Sequence, residues 1–384
     1  MAGSTKSRYH RNKHDPRWKA NIQRKGEPSM TSKERVRRTF EFGKPDRVPF
    51  DYFENPGIGK RLRDHFGLAT DDYEGLLKAL DVDIRRIGPA YIGKPLHADI
   101  PNRLVQKEWG YVMRWVEHES GGYYDFCDFP LAQADEETVA AWPMPSPDDY
   151  DYGSLTEQCK KHREYGLHLG DAGLGCIMNT AGFFRSMDQM FVDLALDDSA
   201  GLLLIDRFLD IQFEVFRRSL ERVAPLVDFV WMGEDLGTQK GPLIGKDLFH
   251  KHILPRQQRF FDAAKAYKLP VMLHTCGSSS WSYEDYIKAG VRAVDTLQPE
   301  ATDMSPEYLK SHFADRLAFH GCISTTGNLA FGTPEDVRRE VKTVLGIMMD
   351  GAHYFLSPTH QIQDNSPAEN VLAMYEAGRA YGRY

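Results

Sequence analysis

The chain has 384 residues, 41% of them hydrophobic and 27% charged, with a formal net charge of -7. This composition excludes a disordered or collagen-like polymer, and the length suits one large α/β barrel or two domains of ordinary size. No apolar stretch approaches the ~18–20 residues of a membrane helix, the first thirty residues hold no apolar run, and five cysteines lack paired spacing, so the expectation is a reduced, cytoplasmic protein with no membrane partner.

Residues 1–30 carry eight Lys/Arg against Asp15 and Glu27, a net of +6 that leaves -13 for the remaining 354. The plain reading is a solvated basic arm, and an acidic body without a basic stripe argues against nucleic acid. Residues 31–384 are expected to form the folded domain. Its first helix opens on the capping box Thr31-Ser32-Lys33-Glu34, with Gly43 and Pro45 as the stop. Arg47–Tyr52 reads as a first strand. Between about Arg103 and Phe129, short apolar and aromatic runs predict antiparallel strands, an excursion on the main fold.

From residue 154 onward strands and helices alternate. Apolar runs fall at Leu167–Gly170, Asp228–Met232, Pro270–Leu273, Ala293–Leu297, Leu317–Phe319 and Tyr354–Leu356, each followed by a loop and a helical pattern such as Ser199–Val223, Lys246–Tyr267 or Glu335–Met349. Helix starts are marked by Ser305-Pro306, Thr333-Pro334 and Ser366-Pro367. The alternation predicts an α/β fold, a (β/α)8 TIM barrel with an antiparallel excursion in its first half. No glycine-rich phosphate fingerprint follows a strand, which disfavours an open dinucleotide-binding sheet.

In such a barrel the site forms at the carboxyl ends of the strands. The residues there are Asp51, Tyr52, Glu234, Asp235, His274, Cys276, Gln298, Cys322 and His360. The sharpest signal is Leu273-His274-Thr275-Cys276-Gly277. In extended chain the imidazole and the thiol, two residues apart, share a face, and both are donors zinc prefers. Cys322 and His360 each follow a later strand and are the candidates for a third ligand. An inert buried cysteine is the plainer reading of Cys322, whereas the loop position of His360 favours function. Glu234 and Asp235 suit helix capping and proton transfer equally. Cys127, Cys159 and Cys176 are read as structural.

Leu273–Gly277, Gly332-Thr333-Pro334-Glu335-Asp336-Val337, Ser357-Pro358-Thr359-His360 and Pro367-Ala368-Glu369-Asn370-Val371 resemble the uroporphyrinogen decarboxylase (URO-D) superfamily. The resemblance runs from about Thr31 to the C-terminus and implies a TIM barrel. It also implies one of two chemistries, porphyrinogen decarboxylation or zinc-dependent methyl transfer between a corrinoid and a thiol. The decarboxylases carry an Arg-Gln-Ala-Gly-Arg run on the first strand for a polyanionic substrate; Phe50-Asp51-Tyr52-Phe53-Glu54 stands there instead, and carboxylates repel a polyanion. Their pyrrole-binding aspartate has no evident counterpart near Asp83.

The resemblance to the methyltransferase branch assigns His274 and Cys276 as zinc ligands. The branch's cysteine in a Pro-Gly-Cys-Gly loop is replaced by Pro358-Thr359-His360-Gln361, which leaves His360 or Cys322 to complete the set. A histidine near this position also serves the decarboxylases. Glu234, Asp235 and His360 are the implied catalytic groups, and Asp51, Tyr52 and Gln298 the implied substrate contacts. Zinc, a corrinoid (cobalamin) as methyl carrier, a small-molecule substrate, a corrinoid protein and a homodimer are the implied cofactors and partners. The alternatives are a carboxy-lyase like the decarboxylase and a non-catalytic barrel that binds a partner through its basic arm.

Overall fold

The computed structural model describes residues 30–351 and 353–384; of the basic arm expected over residues 1–30, all but Met30 lies outside them. The first helix, α1, runs Ser32–Phe40 behind the expected capping box: Thr31 Oγ1 accepts the Glu34 N–H at 3.2 Å and the Glu34 carboxylate accepts the Thr31 N–H at 2.7 Å. It ends at Phe40, before the Gly43 and Pro45 named as its stop, because the Glu41 and Gly43 amides turn back onto carbonyls of its last turn.

In chain order the strands are β1 (Ile84–Ile87), β2 (Ala90–Tyr91), β3 (Leu104–Val105), β4 (Val112–His118), β5 (Gly121–Cys127), β6 (Tyr150–Asp151), β7 (Gly166–Gly170), β8 (Phe229–Gly233), β9 (Val271–His274), β10 (Val291–Leu297), β11 (Ala318–Ile323) and β12 (His353–Pro358). Seven of them form one parallel sheet in the order β1-β7-β8-β9-β10-β11-β12. The expected first strand, Arg47–Tyr52, is an extended segment that holds both edges of this sheet. Leu356 of β12 donates to the Pro49 carbonyl and accepts from the Asp51 amide, while the Phe50 carbonyl accepts the amide of Asp83, next to β1. Asp83, fully buried at the amino end of β1, gathers Arg35, Arg47 and the Phe50 amide, so it is a structural tie remote from the strands' carboxyl ends.

The sheet is lined in layers. Ile84, Phe229, Met272, Ala293, Ala318 and Phe355, one residue from each of six strands, pack into an inner apolar layer with Val36 and Phe40 of α1 beneath it. Strand side chains alternate, so two residues further along each strand the next inward position follows: His274 on β9, Asp295 on β10 and His320 on β11. The outer faces bury a much larger core against the helices, among them Ser199–Val223 and Pro334–Met348. The first of these matches its predicted span residue for residue.

The antiparallel excursion is present as β3-β4-β5, with Phe126 of β5 stacked on Phe183 of the helix Met178–Arg185 at 3.5 Å between centroids. Two expectations shift. The helix predicted over Lys246–Tyr267 contains a π-turn over Phe249–Ile253, and the last helix starts at Ala368 with no side-chain cap from Ser366. Among the described residues no helix is long and apolar enough to cross a membrane.

Candidate metal centre

β9 delivers His274 as its last residue, and the chain turns at Gly277, whose φ of +68° suits glycine. A side chain there would lie 2.4 Å from the Gly237 carbonyl oxygen, so glycine lets the loops after β8 and β9 pack together. The turn is pinned further. The Cys276 amide donates to Asp235 Oδ1 at 2.9 Å and the Gly277 amide to Gln298 Oε1 at 2.7 Å. Cys276 Sγ consequently stands 3.5 Å from His274 Nε2. His360 arrives from the far side, just past β12, where Thr359 is tied through its amide to the Ile323 carbonyl. Its ring centroid is 5.8 Å from that of His274, and one donor atom each of His274, Cys276 and His360 lies within 4.8 Å of the other two.

The donor set fits a divalent metal. With ~2.3 Å to sulfur and ~2.0–2.1 Å to nitrogen, two ligands of a tetrahedral zinc stand about 3.6 Å apart, the spacing seen between Cys276 and His274. Burial pushes the Cys276 thiol up to about 11 against the pull of His274, so the sulfur awaits a cation to hold it as thiolate. His360, at the solvent edge, lies below its ordinary pKa through burial and the nearby His274, which keeps its ring neutral for ligation.

Other predicted site residues fall into two groups. Asp235 stands by the trio, its Oδ1 3.7 Å from His274 Nε2 and its Oδ2 accepting from Asn179 Nδ2 at 2.7 Å. Burial would raise it, yet His274 and the Cys276 amide hold it below its usual value, and it is charged at neutral pH. Gln298 holds the Gly277 turn, and Asp51 lies at the back of the site on His320. Glu234, Cys322 and Tyr52 are not brought in. The Glu234 carboxylate is occupied by the Ile177 and Met178 amides at 2.6 and 3.1 Å, the capping alternative of its two readings, and burial pushes it up to about 8. Cys322 is fully buried outside the trio, its thiol raised by burial and by Glu300, Glu307 and Glu340 on the helix side of the sheet. Tyr52 is 1% exposed and packs on Tyr375 with its hydroxyl on Glu54, so it does not line the opening as expected.

The sequence reading missed what lies behind His274. Asp295 accepts from His274 Nδ1 at 2.8 Å and from His320 Nδ1 at 2.6 Å, and His320 Nε2 reaches Asp51 at 3.1 Å. Burial opposes charge on His320, but Asp295 and Asp51 lift it to about 9; Asp295 is held far below its usual range by the same two rings despite its own burial. The available signal was a polar residue two places beyond an inward apolar one on adjacent strands: Ala293 to Asp295, Ala318 to His320.

Residues 204–381 match the uroporphyrinogen decarboxylase (URO-D) family. The methylcobamide:CoM methyltransferase MtbA of Methanosarcina acetivorans is 27% identical over 139 residues, 36% of this chain, and MtbA of Methanosarcina mazei matches to the same extent. The match spans only 38% of the length of these relatives. A methyltransferase from Methanosarcina mazei shares the fold, with a TM-score of 0.63 at 16% identity over 92% of this chain and 99% of that one. These findings bear out the resemblance read in the sequence: residues 204–381 match the URO-D family, and the relatives matched over 139 residues are methyltransferases.

Proposed function

We propose that the protein is a zinc-dependent methyltransferase that moves a methyl group between a corrinoid and the sulfur of a small thiol, with His274, Cys276 and His360 as the zinc ligands. The observation that carries this reading is the convergence of three donors within 4.8 Å at the carboxyl ends of β9 and β12. Zinc bound there would supply the Lewis acidity that favours a substrate thiolate over the thiol. The chain's own groups do the rest. Asp235, charged and beside the trio, takes the thiol proton, and Gln298 and the Gly277 turn fix the sulfur-bearing loop. The thiolate forms the carbon–sulfur bond as the carbon–cobalt bond breaks and its electron pair stays with cobalt. The corrinoid is read as a substrate, delivered by a carrier protein or free.

The decarboxylase alternative needs cations on the first strand for a polyanion; Asp51 and Glu54 there count against it. The barrel is proposed to close as a (β/α)8 unit over residues 31–384. Its support is the segment 49–51, hydrogen-bonded to β12 on one side and to Asp83 on the other. Elemental analysis tests the metal reading: about one zinc per wild-type chain is expected, lost in both His274→Ala and Cys276→Ala. Unchanged zinc in those variants removes the site. Methylcobalamin with a panel of thiols then tests the transfer, read as the change in corrinoid absorbance.

A further inference from the structure

In β10 the residues Asp295 and Thr296 follow one another, and a regular strand would send one side chain inward and the next outward. Both are inside. Asp295 Oδ2 lies 2.8 Å and Thr296 Oγ1 2.6 Å from the same atom, His274 Nδ1. The cause is a bulge. Asp295 pairs with His320 but Leu297 with Gly321, so Thr296 is an extra residue with no partner on β11. Its φ is +64°, a conformation that a β-branched residue adopts only under constraint. Gly321 opposite makes room: with φ of +123°, a Cβ there would lie 2.9 Å from the Leu297 amide nitrogen. The Thr296 amide, freed from the ladder, donates to Asp295 Oδ1 at 2.6 Å.

We infer that this bulge makes Asp295 and Thr296 a two-point clamp on His274, positioning residues of which Asp295 keeps the Nδ1 proton in place and Thr296 fixes the ring, so that the Nε2 lone pair faces Cys276 and His360. The inference rests on the metal reading for its purpose but not for its geometry. An ionised carboxylate only accepts, so the ring nitrogen that meets Asp295 carries the hydrogen. Thr296 Oγ1 lies 2.6 Å from Nδ1 and 3.5 Å from Nε2, so it rests against the face of the ring and fixes its tilt. His320 and Asp51 brace the clamp from behind: His320 occupies the other Asp295 oxygen, and the Asp51 backbone is held by the Tyr375 hydroxyl at 2.6 Å. Asp295, Thr296 and His320 are 2%, 1% and 0% exposed, so water does not compete for these contacts.

Two measurements test it. Nitrogen-15 NMR of the histidine side chains in metal-stripped wild-type protein, at a pH high enough for the His274 ring to be neutral, reads the tautomer directly. His274 is expected as the Nδ1–H form, and an Nε2–H form overturns the clamp. Competition with a chromophoric zinc chelator reads the consequence. Asp295→Asn is expected to weaken zinc roughly 10–100-fold, the usual effect of losing a partner behind a ligand. Thr296→Val weakens it in the same direction, while Thr296→Ser, which keeps the hydroxyl, restores affinity to within a few-fold of wild type. Equal affinity in Thr296→Val and Thr296→Ser overturns the role of the hydroxyl, and unchanged affinity in a folded Asp295→Asn overturns that of the carboxylate. If the wild type takes up no zinc, the metal reading fails, and the tautomer alone decides the clamp.

Discussion

His168 is an inward-facing histidine of β7 that the proposed chemistry does not use. It is buried, stacked on Phe229 at 5.1 Å, and its Nδ1 has no hydrogen-bond partner among the described residues. Burial pushes it down to about 3 from an ordinary 6.5. Between those values the unfolded chain binds a proton that the folded chain refuses, so stability falls as the pH drops below 6.5 and the loss is complete near 3. At 1.36 kcal/mol per pH unit this share amounts to about 2 kcal/mol between pH 6.5 and 5. Urea unfolding of wild type and His168→Leu across that window checks it. The variant's stability is expected to be flatter by that amount, and parallel curves refute it. His274 and Cys276 were legible one residue at a time because both are metal-ligand types at a spacing that shares a face. Asp295, Thr296 and His320 were not: an Asp or His in an apolar run acquires meaning only when the register puts it beside the ligand.

Among the elements, the join between β8 and the helix Met178–Arg185 shows how a candidate acid turns out to be a fastener. Glu234, directly past β8, closes the amino end of that helix with two short hydrogen bonds from backbone amides. Glu234→Ala would leave those buried donors unsatisfied and is expected to destabilise the protein by ~1–3 kcal/mol, seen as a lower Tm, with zinc content retained. A variant of full stability that has lost only activity would restore Glu234 to the chemistry. Sequence reading succeeded for elements whose signals are local, such as the Thr31–Glu34 box and the 25-residue helix Ser199–Val223. It failed for β1, where Arg85 and Arg86 interrupt the apolar run; burial of Arg85 is compensated by Glu74 at 2.8 Å, a partner eleven residues away. The Thr296 bulge was equally hidden, since threonine favours strands and gives no local hint of a left-handed backbone.

Across the whole molecule, alternating strand and helix signals made the fold class legible, and the seven-stranded parallel sheet follows them strand for strand except at β1. The ties of the extended segment near residue 50 to both edges of that sheet were beyond the pattern, because its hydrogen bonds reach Asp83 and Leu356, more than thirty and three hundred residues away. Among the described residues the first element is α1, whose cap uses Thr31 and whose Arg35 reaches the Met30 carbonyl at 2.9 Å. A chain starting at Met30 is therefore expected to keep the Tm and the zinc stoichiometry of the full chain. A drop in either measurement would assign residues 1–29 a part in the fold.

Val36 and Phe40 stopper the amino ends of the strands, beneath the apolar layer formed by Phe229, Met272 and Phe355. If the barrel closes as proposed, a reactant that reaches the His274 ring comes in and goes out by one doorway. Two bulky visitors to such a blind vessel have to share the threshold or take turns, so the order of arrival and departure is governed by the shape of the container as much as by the reacting atoms.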